Sequence, residues 1–94
     1  MHIATCVITL QLFGTDSLKA KRSILKSLIA RLPKQFNVAI AEVDHHDSWH
    51  TAVIALATVG NDPGYVHGLM EKAVAWIEKN RPDIVIEQYS IELL

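Results

Sequence analysis

The spacing of apolar residues in this chain switches between the two-residue period of a strand and the 3.6-residue period of a helix. The order of those switches leaves few folds open. His2 to Phe13, rich in Ile, Val, Thr and Leu, predicts a strand. Gly14-Thr15-Asp16-Ser17 supplies a turn and helix-capping side chains. Leu18, Ile24, Leu25, Leu28, Ile29 and Leu32 follow at helical spacing, with Pro33 expected to mark the helix end. Phe36 to His45 returns to strand composition, His46-Asp47-Ser48 predicts a turn, and Trp49 to Val59 a further strand. So short a connection makes the two an antiparallel hairpin. In Gly60-Asn61-Asp62-Pro63, Asp62 suits an N-cap and Pro63 the first helical position. Val66, Leu69, Met70, Ala73, Val74 and Ile77 trace one face of a second helix, which Asn80-Arg81-Pro82 stops. In the last strand, Ile84 to Leu93, the first two isoleucines alternate on one parity and Tyr89, Ile91 and Leu93 on the other. A bulge near Glu87 or Gln88 reconciles the halves.

The order β-α-β-β-α-β, with right-handed crossovers, predicts a single α+β domain over residues 1–94 with a ferredoxin-like arrangement: a four-stranded antiparallel sheet carrying both helices on one face. In the first strand Cys6, Ile8, Leu10 and Leu12 share one side, yet Ile3, Val7 and Phe13 occupy the other. Ile54 and Leu56 likewise oppose Val53, Ala55, Ala57 and Val59, and Phe36, Val38 and Ile40 oppose Ala39, Ala41 and Val43. Strands apolar on both sides are usually covered on both. Two helices cover one, so the open face is expected to be buried in a homo-oligomer, most simply a dimer.

Half of the residues are hydrophobic and a fifth charged, which excludes a disordered chain. The formal net charge is −1, so attraction for a polyanion must come from a local patch. The single cysteine, Cys6, sits in an apolar strand and predicts a buried, reduced thiol. The apolar N-terminus lacks the basic lead and small-residue cleavage site of a signal peptide, and no run reaches the roughly 18 apolar residues of a membrane span. A cytoplasmic protein with no membrane association is expected.

Three constellations bear on chemistry. Glu42-Val-Asp44-His45-His46-Asp47-Ser-Trp49-His50 crowds carboxylates and imidazoles of the kind that bind Zn²⁺. Strand alternation places Glu42, Asp44 and His46 on one face with His45 pointing away, and Asp44, His46 and His50 are the residues a metal would use. No recognised ligand spacing completes that site, so a polar hairpin and possible interaction surface, with Trp49 as its anchor, is the expected role, and no metal or cofactor is assigned. Nucleophilic catalysis is not expected either: Cys6 lies among apolar neighbours, and Ser17, Ser23 and Ser27 lack an elbow motif. The loop Phe-Gly-Thr-Asp-Ser after the first strand lacks the arginine that acylphosphatases of the same topology carry there. Hence no enzyme is expected.

The third constellation is the basic run. Six of the nine Lys and Arg residues lie between Lys19 and Lys34, with no acid among them. Lys19, Arg22 and Lys26 fall on one helical stripe, widened by Lys21, Arg31 and Lys34. Several of them oppose the helix dipole, so helix stability does not account for them. Phosphate contacts with RNA or a ribosomal particle would. The central strands offer only terminal Phe13 and Trp49, so recognition by base stacking on the sheet is not expected.

Ser17-Leu-Lys-Ala-Lys-Arg-Ser-Ile-Leu-Lys26, Phe36-Asn-Val-Ala-Ile-Ala-Glu-Val-Asp44 and Asp44-His-His-Asp-Ser-Trp49 resemble the hallmark segments of the YlxP-like family. These are small bacterial proteins classed as a domain of unknown function, and the resemblance extends through the closing Ile91-Glu-Leu-Leu. His46 stands where the family pattern carries Gln. The resemblance implies a ferredoxin-like fold and transfers no catalytic residue. Its members' frequent encoding beside translation-initiation and ribosome-maturation factors implies a ribosome-associated role.

Overall fold

The computed structural model describes residues Met1–Leu94. In chain order the elements are β1 (His2–Leu12), α1 (Leu18–Gln35), β2 (Ala39–Asp44), β3 (Thr51–Gly60), α2 (Pro63–Asn80) and β4 (Ile84–Leu93). The strands form one antiparallel sheet in the order β2-β3-β1-β4, so the fold is ferredoxin-like α+β. Both central strands are rich in β-branched residues, and β1 is paired along almost its whole length on both sides.

Register explains which side chains are buried. Paired residues share a face, so Cys6–Leu56, Ile8–Ile54 and Leu10–Ala52 point together beneath the helices, and all six are buried. Helix α2 lies across β1, β3 and β4 and contributes Val66, Met70, Ala73, Val74 and Ile77 to this core. Helix α1 lies over β2 and contributes Leu25, Leu28 and Leu32. Burying these leucines in place of water supplies about 1.5–3 kcal/mol each. In β4 the register shifts opposite Thr9/Leu10, leaving Glu87 unpaired between Ile86 and Gln88. The predicted bulge is therefore present, and it returns Tyr89, Ile91 and Leu93 to the side of Ile84 and Ile86.

The structure departs from the sequence reading in two ways, the first being where α1, β2 and β3 begin or end. Helix α1 runs through Pro33 to Gln35 and ends at Phe36, whose N–H donates to Leu32 O. A proline that close to the end forfeits one internal bond, and the final turn still closes around it. Strand β2 consequently begins at Ala39 instead of Phe36, and the connection to β3 runs from His45 to His50. The second difference is a register shift between Glu42 and Asp44, where Asp44 comes opposite Val53.

The opposite face of the sheet carries no secondary structure. Reading across it from β2 to β4, one row is Ala39, Ala57, Thr5 and Glu92, and the next is Ala41, Ala55, Val7 and Ser90. No helix is long and apolar enough to cross a membrane.

Candidate functional site

One end of the sheet brings together the loop from β1 to α1, the first turns of α1 and the connection between β2 and β3. Ser17 caps α1: its backbone is extended and its Oγ accepts from Ala20 N at 3.1 Å. Gly14, at φ 75°, turns the chain from the sheet into that cap through a conformation that favours glycine. Thr15, between them, is buried and donates its hydroxyl proton to Trp49 O at 2.7 Å. Its Oγ1 also lies 3.0 Å from His50 Nδ1. A threonine hydroxyl has one proton, so with that proton on Trp49 O the imidazole is the donor, from Nδ1, in the 3.0 Å contact. The bond from Leu12 N to His50 O, 2.7 Å, completes the attachment.

Lys21 is the most consequential residue here, and its placement corrects the sequence reading. The basic run puts it on the exposed surface, but its side chain is 1% exposed. Its ammonium donates to His45 O at 2.5 Å and lies 3.2 Å from Glu42 Oε2. The Glu42 contact is an ion pair without hydrogen-bond alignment, and the buried Oε2 has no other donor. The reason lies in helix geometry. Lys21 shares the stripe of Leu25, Leu28 and Leu32 at i, i+4, i+7 and i+11, so it faces inward. That signal is present in the sequence, where the run of like charges outweighs it. Glu42 meets Lys21 because pairing with Ile54 turns Glu42 to the helix side of β2. His45, the residue held by Lys21, has φ 59° and initiates the turn, with Ser48 N donating back to its carbonyl at 3.1 Å.

The metal triad Asp44, His46 and His50 does not assemble. The register shift carries Asp44 to the face of Val53, away from Glu42, and its Oδ1 accepts from His45 N at 2.7 Å. His46 Nε2 lies 3.3 Å from Glu42 O, while His50 is held by Thr15. No three His, Cys, Asp or Glu side chains are arranged to hold a metal ion. Asp47 and the Trp49 side chain are exposed, so the anchor of the hairpin is the Trp49 carbonyl and not its indole. Cys6 is fully buried, and burial, reinforced by the charge of Glu71, pushes its thiol up to about 11. At neutral pH it is a protonated core side chain.

The remaining five cations of α1 are exposed: Lys19, Arg22, Lys26, Arg31 and Lys34. None makes a salt bridge; the chain's two ion pairs are Lys21–Glu42 and Arg81–Asp83. From Lys19 to Lys34 the helix rises about 22 Å, and all but Arg31 lie within an arc of roughly 120°. The first turn contains no acid to offset Lys19. Helix α1 therefore separates its charges into one structural lysine and five solvated cations.

The chain matches a family model described as "Protein of unknown function (DUF503)" over residues 3–91. It is also similar to "Uncharacterized protein YlxP" of Bacillus subtilis (strain 168), at 29% identity over 73 residues, which cover 78% of this chain and 75% of that protein. The span matched by the family model takes in both helices, together with the Lys21 clamp and the exposed stripe of α1. The chain belongs to the YlxP-like family, the proteins of unknown function termed DUF503.

Proposed function

We propose that this protein is a non-enzymatic binding module that docks on RNA, or on a ribonucleoprotein such as a ribosomal particle, through the exposed face of α1. The observation that carries this reading is the set of five exposed cations on one helix with no acid and no ion-pair partner among them. Cations that have no acid to leave lose nothing by meeting phosphates, and each contact releases counterions. A rise of about 22 Å lets the row follow several consecutive phosphates. The contacts are to backbone, so selectivity among bases is low.

The open sheet face supports the same assignment by what it offers. Glu87 and Glu92 lie along β4 and Asp44 at the end of β2, so the margin of that face is acidic and repels phosphate. Its central strands carry no aromatic residue within β1 or β3 on which a base could stack.

The test is binding to single-stranded RNA and to ribosomal particles across a range of salt concentrations. Five phosphate contacts predict a slope of log K against log salt near −3.5, at about −0.7 per contact for a single strand. Lys19→Glu, Arg22→Glu and Lys26→Glu combined should weaken binding more than tenfold at low salt. Unchanged affinity in that triple variant, or no RNA binding at low salt by the parent protein, refutes the reading.

A further inference from the structure

We infer that the open face of the sheet is the contact surface for a second copy of this chain, forming a twofold dimer. This stands apart from the nucleic-acid reading, because the basic stripe of α1 lies on the other side of the molecule. An antiparallel sheet with one face in water ordinarily alternates apolar inward and polar outward residues. Here β1 and β3 place no charged residue on the outward face, although a fifth of the chain is charged. Val7, Val53 and Ala55 occupy its centre.

The shape of the face argues for a copy of itself. Ala39, Ala41, Ala55 and Ala57 line a shallow hollow over β2 and β3. Val7, 41% exposed, forms the rim of that hollow on β1. A surface with hollow and knob side by side satisfies the isologous rule, in which each patch meets the other across a twofold axis. Twisted sheets stack face to face about 10 Å apart, and alanines permit that approach. Strands of 11, 6, 10 and 10 residues give roughly 590 Å² of projected face, about three quarters of the ~800 Å² per partner of a stable interface. The acids Asp44, Glu87 and Glu92 lie at the margin, where an interface keeps its polar groups in water. The same acidic margin, with no Lys or Arg on the face, rules against an anionic membrane or a nucleic acid as occupant.

The experiment is light scattering of the untagged full-length protein at tens of micromolar, with two face variants and one control. The parent should have twice the 10.5 kDa chain mass. Ala55→Glu and Thr9→Lys should each halve it while retaining the parent circular dichroism, since both positions are only partly buried in the single chain. Lys72→Glu, on the exposed side of α2, should leave it unchanged. Should both face variants fail to fold, attenuation of the Val7 and Val53 methyl signals by a soluble paramagnetic agent in the parent protein decides the matter. Protection supports the dimer, and full attenuation overturns it. A parent of single-chain mass overturns it too, including one that assembles only on adding vesicles or RNA. Doubled mass that survives both folded face variants places the interface elsewhere and likewise overturns it.

Discussion

Replacing Lys21 by Met tests whether the clamp beneath the β2–β3 connection holds that connection in place. Methionine nearly matches the lysine stem, so packing against Leu25 and Leu28 is largely kept and the change removes the charge and its donors. Glu42 Oε2, which is buried and has no other donor, loses its counter-charge, and the His45 carbonyl is left with the Ser48 N–H alone. Removing one member of a fully buried ion pair costs about 3–5 kcal/mol. The Glu42 side chain is 17% exposed and can turn partly to water, which places the expected loss near the lower figure, about 3 kcal/mol. For a domain of this size that corresponds to a fall in Tm of about 12–24 °C. Chemical denaturation should show the loss as a lower midpoint at unchanged m-value. Because the buried carboxylate is the principal cost, Lys21→Met combined with Glu42→Leu should recover part of the stability lost by the single change. A Lys21→Met protein within about 0.5 kcal/mol of the parent refutes the clamp, as does a double variant less stable than the single one.

Two further outcomes follow from the core. Cys6 should resist maleimide at neutral pH and react at the rate of global opening; rapid labelling of the folded protein contradicts its placement. Its folded-state pKa is raised, so its contribution to stability is full below the ordinary value of 9.0 and is lost as pH rises through about 11, which denaturation at pH 8 and pH 11 should register. Gly60→Ala would put a methyl 2.7 Å from Val66 Cγ1, inside the buried start of α2. A cost of about 1–3 kcal/mol is expected by denaturation, and an unaffected midpoint contradicts the packing described.

Much of the fold is legible because local periodicity and burial agree. The alternation of Cys6, Ile8 and Leu10, the stripe Leu25, Leu28 and Leu32, and the Asp62-Pro63 start of α2 each point to the element that forms. Even the bulge at Glu87 can be read, because an uninterrupted strand would turn either Ile86 or Tyr89 outward. The site is less legible. Its grouping depends on pairings between residues far apart in sequence, such as Thr15 with Trp49 and His50, or Lys21 with His45. The bulge at Val43 has no comparable signal, because strand alternation by itself runs on through Asp44 to His46.

Element order, the core stripes and the concentration of cations on α1 follow from the order of residues alone, since each is a property of neighbours along the chain. Which cation is which depends on how α1 packs. Lys21 is held inside, on a carbonyl and a carboxylate, because α1 lies over β2 and lowers that side chain onto the start of the hairpin. Lys19, Arg22, Lys26, Arg31 and Lys34 remain in water, because the same packing turns their faces of the helix away from the sheet.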